Sequence, residues 1–344
     1  MVRMSVTTDT LSRLWDERPE VIRAFVDERS NYEQLGAEVA YILEKRLRAA
    51  DVEFAAITHR AKTVKSFAEK VWRKRYKDPM TEMSDLAGVR VVYLYRSSRK
   101  AIEEVIEVEC DIVEKVDKVA EDEPTRFGYG ALHYLVRVGR KSSGARYDDL
   151  KALICEVQVR TVLQDAWAII DHHLNYKKES DVPRLLRRKL NALAGLFETA
   201  DDQFDRIRAE REDYLASMAA LLSKPEAFLE QELNLDTFEV YLSWKFPERK
   251  RARNDKHVSR ILGVARKLGV TTLRELDRVV AATARACAAS AKEAGTPAVT
   301  GEIAVALAFY FPEFRKTGTW HPIHDPLWAK FEHLIERDGG ASAV

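Results

Sequence analysis

"CEVQVRTVLQDAW" (residues 155–167) opens as a β-branched run suited to a buried strand, yet sets a carboxylate, an amide and a guanidinium at every second position. Side chains alternate across a strand, so Cys155, Val157 and Val159 share one face and Glu156, Gln158 and Arg160 the other. An unpaired buried carboxylate is costly, so Glu156 requires a cation, a hydrogen-bond donor or water beside it. Two readings fit: an edge strand with a solvated polar face, or a sheet with one packed face and one working face.

Similar runs lie to either side. "VRVVYLY" (89–95) and "ALHYLVRV" (131–138) read as strands, "DIVEKVDKVA" (111–120) holds a further short one, and "SRKAIEEVIEVE" (98–109) reads as a helix between them. The first 50 residues carry Leu35, Val39, Ile42, Leu43 and Leu47 at helical spacing, with Pro19 able to start a turn. Leu185, Leu193, Phe197, Phe204 and Ile207 predict a long helix after Pro183. Beyond about Ser223 shorter helices follow, with Gly269 as a C-cap and Thr272 with Glu275 as a capping box. The expected fold class is α+β: a mixed β-sheet flanked by helices, then an all-helical C-terminal module. The expected division is N-terminal helices over 1–54, a core over 55–180, a long helix over 181–222 and the helical module over 223–344.

The composition agrees. A chain of 344 residues has room for about two domains. Its 46% hydrophobic and 32% charged residues exclude wholesale disorder. No apolar run approaches the roughly 20 residues that span a bilayer, and "MVRMSVTTDTLSRLW" lacks the apolar centre of a signal peptide, so a cytoplasmic protein without membrane contact is expected. Cys110, Cys155 and Cys287 lie far apart with no C-x-x-C pair, which indicates neither a zinc site nor a disulfide framework and predicts small core residues. The net charge of +1 hides local asymmetry, because "THRAKTVKSFAEKVWRKRYK" (58–77) holds eight Lys or Arg against one Glu.

Within that stretch Val64, Phe67, Ala68, Val71 and Trp72 form an apolar stripe from Thr63 to Lys77. Lys62, Ser66 and Lys70 fall one turn apart, a row that could follow a polyphosphate, with Arg60 free to stack on a base as a planar cation. A solvated helix face is the plain alternative. Asp85, in "SDLAGVRV" (84–91), precedes a strand in which Gly88 permits a tight turn and Arg90 begins the extended run. If that strand neighbours "CEVQVR", Asp85 and Glu156 could hold a hard cation such as Mg²⁺ between oxygens together with substrate phosphates. In "FGYGALHY" (127–134) Tyr129 lies between two glycines, placed for stacking on a base or for a structural hairpin turn, and His133 follows in the strand. No glycine-rich P-loop is present.

Together these segments resemble the RelA/SpoT nucleotidyl-pyrophosphate synthetase family over roughly residues 55–180. "RAKTVKSFAEK" resembles its R-x-K-x-x-x-S-x-x-x-K helix, "SDLAGVRV" its D-x-x-G-x-R strand, "GYGALH" its G-Y-x-S-x-H loop, and "EVQVRTVLQDAWAIIDHHLNYK" its E-x-Q-x-R-T…W…H…Y-K signature. The resemblance implies transfer of the β,γ-pyrophosphate of ATP to the 3′-hydroxyl of GDP or GTP, giving (p)ppGpp. It assigns Asp85 and Glu156 to magnesium, Glu156 also to activation of the hydroxyl, and Arg90 to the moving pyrophosphoryl group. It gives Arg60, Lys62, Ser66 and Lys70 to ATP, Tyr129 to guanine, and His133, Gln158, Arg160 and His172 to the acceptor. Phe127 and Ala131 stand where the family often has Asn and Ser, which bears on acceptor recognition.

Two further readings belong to other classes. A toxic branch of the family applies the same chemistry to the 3′ end of tRNA, and the basic cluster from Lys245 to Lys256 would suit phosphate contacts. A binding module that kept the fold without turnover is the non-enzymatic alternative.

Overall fold

The computed structural model describes residues 5–117, 130–174, 184–249, 255–295, 298–316 and 325–336. It divides into two compact units, Met1–Ile207 and Arg208–Val344.

The first unit begins with helices α1 (Ser5–Glu17) and α2 (Pro19–Ala49), with Pro19 at the first position of the second, where its missing N–H costs nothing. Strand β1 (Phe54–Ala61) leads into α3 (Val64–Lys74); the short α4 (Pro79–Glu82) precedes β2 (Ala87–Tyr93). Then come α5 (Arg99–Glu109), β3 (Cys110–Asp117), β4 (Leu132–Val138), β5 (Cys155–Thr161), α6 (Val162–Leu174) and the long α7 (Arg184–Leu221), which crosses the division between the units. The five strands form one sheet in the order β1-β2-β5-β4-β3, with β2 and β5 parallel and every other pair antiparallel. The sheet is therefore mixed, and β5 lies at its centre.

Register decides which residues meet. Val89, Val157 and Tyr134 align across β2, β5 and β4, as do Val91, Val159 and Leu132, and all six are buried. Helices α2 and α5 cover this apolar face with Leu35, Val39, Leu43, Ile102 and Ile106. Gly36 brings α2 close to β1: a Cβ there would stand 3.4 Å from the His59 Cβ. Cys110, Cys155 and Cys287 are all buried free thiols.

Four expectations need correction. Residues 54–61, with no strand assigned from their sequence, form β1, because "FAAITHRA", with three alanines in eight residues, takes its extended form from pairing with β2 more than from intrinsic propensity. Thr63 caps α3 by accepting from the Ser66 N–H, so the helix starts after Lys62, and only Ser66 and Lys70 of the proposed row lie on it. Trp72 is exposed and does not join the apolar stripe. Gly88 makes no turn; it lies inside β2, paired with Glu156 and Arg60.

The second unit is helical: α8 (Pro225–Leu229), α9 (Leu235–Lys245), α10 (Asp255–Lys267), α11 (Leu273–Ala294), α12 (Val299–Tyr310), α13 (Pro312–Arg315) and α14 (Asp325–Phe331). They enclose a separate core that includes Phe238, Ile261, Leu273, Ile303, Phe309 and Trp328. Gly269 takes φ +86° after α10, and Thr272 with Glu275 forms a reciprocal capping box on α11. Among the described residues, no helix is long and apolar enough to cross a membrane.

Candidate active site on the polar face of the sheet

Directly paired residues of neighbouring strands share a face. One row across the sheet is Arg60, Gly88, Glu156 and Leu135; the next is Thr58, Arg90, Gln158 and His133. Register thus brings Arg60, Arg90, His133, Glu156 and Gln158, drawn from four strands, to one surface, opposite the face that α2 covers. Arg160 follows two residues on from Gln158 along β5 and shares that surface. Gly88 leaves its floor open: a Cβ there would meet only the Glu156 carbonyl oxygen, at 3.9 Å.

Glu156 is held at both oxygens. The His133 Nδ1 lies 3.0 Å from Oε1, and Gln158 Nε2 donates to Oε2 at 2.8 Å. These partners answer the cost of placing a carboxylate on a mostly covered strand and fix its orientation.

At the edge of the same surface, Lys62 Nζ donates to Asp85 Oδ2 at 2.7 Å and Lys70 Nζ lies 2.9 Å from the same oxygen. Lys62 follows Ala61, which pairs with Ala87, and its N–H donates to the Leu86 carbonyl at 2.8 Å, so Lys62 and Asp85 lie just beyond the paired ends of β1 and β2, with Lys70 reaching them from α3. Burial alone would raise the Asp85 carboxyl, but hydrogen bonds and charge from Lys62 and Lys70 outweigh it and hold the group below the ordinary carboxylate range. Its second oxygen, Oδ1, is buried without a hydrogen-bond partner.

A third cluster joins the sheet to α6. Asp165 Oδ1 lies 3.0 Å from Arg90 Nη1 and 3.9 Å from Arg160 Nη1. Burial, then the charge of Arg90, lowers the Arg160 guanidinium from its ordinary value, while Asp165 and Glu156 oppose that shift. Sequence reasoning missed Asp165. A signal was present in "RTVLQD": Thr161 and Gln164 form a capping box, with Gln164 N–H donating to Thr161 Oγ1 at 3.0 Å and Thr161 N–H to Gln164 Oε1 at 2.8 Å. That box fixes the start of α6, and an acid in its first turn then faces the arginines that end the polar row. The cap is tied down in turn by Thr161 Oγ1 donating to buried Asp201 Oδ2 at 2.7 Å, from α7.

Ser66 is exposed on the first turn of α3, and His172 is exposed near the end of α6 beside His173. Tyr129 lies outside the described residues, as do Lys250, Arg251 and Arg253 of the basic cluster, and nothing is described of the Lys256 side chain. Within that cluster Lys245 Nζ is 2.7 Å from Asp277 Oδ1, and Arg249 is paired with Glu302.

No group of three or more His, Cys, Asp or Glu side chains able to hold a metal occurs among the described residues. A full protein cage is therefore missing there. What is present is a single buried carboxylate oxygen, Asp85 Oδ1, without a hydrogen-bond partner, and an ion that takes most of its ligands from water and phosphate needs only one or two such protein oxygens.

Comparison with known proteins places this surface in context. Residues 59–181 match the family described as "Region found in RelA / SpoT proteins". The GTP pyrophosphokinase YjbM of Bacillus subtilis (strain 168) is 28% identical over 173 residues, spanning 49% of this chain and 77% of that protein. The GTP pyrophosphokinase YwaC of the same organism is 29% identical over 157 residues, 44% of this chain and 72% of that one. Among solved structures, the small alarmone synthetase 1 from Bacillus subtilis is similar at 24% identity and a TM-score of 0.45, over 54% of this chain and 95% of that chain.

Proposed function

We propose, from the match of residues 59–181 to the RelA/SpoT region, that the protein is a pyrophosphokinase that moves the β,γ-pyrophosphate of ATP to the 3′-hydroxyl of GDP or GTP. The observation that carries this reading is the polar face of the sheet, where an oriented carboxylate, Glu156, stands beside the open floor at Gly88 and a border of cations. A purely structural face would not need a gap in the middle of its charged row.

Such a transfer forms a bond between the acceptor 3′-oxygen and the β-phosphorus of ATP and breaks the bond from that phosphorus to the α–β bridging oxygen. AMP leaves, and the hydroxyl proton passes to a base. Glu156 is that base: its carboxylate accepts the proton, and His133 and Gln158 keep it aimed at the acceptor. Charge accumulates on non-bridging oxygens, so fixed cations lower the barrier by being in place beforehand. Arg60 and Arg90 supply them on the strands, and Lys62 and Lys70 at the sheet edge. Asp165 holds Arg90 and keeps two like-charged guanidiniums side by side. Asp85 Oδ1 and Glu156 would hold Mg²⁺, which supplies charge neutralisation and alignment of the triphosphate when bound. Tyr129, His172 and Arg160 are assigned to the acceptor on the family pattern, and Ser66 to ATP.

The test is product identification. Purified protein with γ-labelled ATP, Mg²⁺, GDP, GTP and tRNA should give a guanosine nucleotide carrying the label at its 3′ position, with AMP in equal amount. Label on tRNA alone would replace the acceptor, and AMP-free mixtures with no labelled product would remove the transferase reading.

A further inference from the structure

The helical unit contains a cavity of about 580 Å³ between the end of α9, one face of α11 and the start of α12. Its size falls within the range of small-molecule sites. Ala281, Ala284 and Ala288 line it from successive turns of α11, with Phe246 and Ile303 opposite. Alanines so spaced leave a trough, because no side chain longer than a methyl fills the space above the helix. Cys287 completes the wall, and burial pushes its thiol up to about 11, so it stays protonated and acts as an apolar surface.

Two observations say what would fill this space. Ser290 lines it, is only 1% exposed, and its Oγ has no hydrogen-bond partner among the described residues. A serine in a helix normally bonds the carbonyl one turn back, so a buried hydroxyl left over in a cavity wall can rotate about its Cα–Cβ bond to meet a polar atom placed in that cavity. The charged residues of the lining are also unbalanced. Lys245 is paired with Asp277 and Arg249 with Glu302, but Lys292 has no carboxylate partner among the described residues.

We propose that this cavity binds a small amphipathic anion, with its apolar body along the alanine trough of α11 and a carboxylate or phosphate head toward Ser290 and Lys292. The site is separate from the polar face of the sheet and does not depend on the transferase reading.

Titration calorimetry on the full chain with four ten-carbon probes tests it: decanoate, decyl phosphate, decanol and decyltrimethylammonium. The two anions should bind saturably, and at least about tenfold more tightly than decanol, with the cation weakest. Whichever anion binds more tightly identifies the head group. Ser290→Ala should weaken the anions about three- to tenfold, the range of one hydrogen bond. Ala288→Phe should abolish binding with unchanged helicity, and Lys292→Glu, at an exposed position, should reverse the preference between anion and cation. Equal affinity for all four probes, no saturable heat with any probe up to ~1 mM, or full binding by a folded Ala288→Phe protein would overturn the site.

Discussion

On the proposed reading, the chemistry depends on the partners of one side chain, Glu156. Its two oxygens are taken by His133 and Gln158, so Glu156→Gln keeps the shape and loses the proposed base. Pyrophosphate transfer should fall by about two to four orders of magnitude with an unchanged melting temperature, and a steady-state assay showing undiminished turnover would reassign the proton. Asp165 is its counterpart for charge. Asp165→Asn should cost about 1–2 kcal/mol in urea unfolding, because Arg90 and Arg160 are left to repel each other and Arg160 Nε is already buried without a partner; an unmoved midpoint would deny it that role. Asp85 carries a pH dependence of known sign. Its folded-state carboxyl lies below the ordinary value, so its contribution to stability is complete above the unfolded pKa of about 4 and disappears as pH falls through the lowered value. Melting temperatures of the native protein and Asp85→Asn should therefore differ at neutral pH and converge below about pH 4.

At the scale of elements, strand pairing turns scattered residues into a surface. β2 and β5 run parallel, so Gly88 stands opposite Glu156, and β1 adds Arg60 to the same row. Gly88→Val would place a branched side chain on that floor without disturbing the buried face. Stability should stay level or rise, since valine favours strands, while kcat/KM for ATP should drop at least about tenfold. Equal kinetics would show that nothing needs the gap. The strand content of this region was legible because β2, β4 and β5 alternate apolar and polar residues, and the pair Thr272–Glu275 announced its helix start plainly. β1 was not legible. It is an edge strand, largely exposed, whose sequence carries little intrinsic strand preference, so only its pairing with β2 reveals it. Lys62 was misplaced for a related reason: a three-and-four spacing reads the same whether or not a threonine cap intervenes, and Thr63 does. Asp165 escaped because its partners lie on two strands whose adjacency no local pattern specifies.

At the scale of the molecule, the described residues form two hydrophobic cores with no residue in common, one around the sheet and one within the helical unit. Scanning calorimetry should accordingly give a calorimetric enthalpy above the van't Hoff value, or two resolved transitions; a ratio of one would mean that the whole chain melts as one cooperative body. The central place of β5 has a consequence of its own. Cys155, Val157 and Val159 fill the core from one side of the strand, while Glu156, Gln158 and Arg160 project from the other. A single inserted or deleted residue within it would swap the two sides, sending a polar trio, two of them charged, into hydrocarbon and valines into water. Drift in this segment is thus confined to substitution in place: evolution can retune the polar groups one at a time but cannot slide them, since the oil-filled side of the same ribbon vetoes every intermediate.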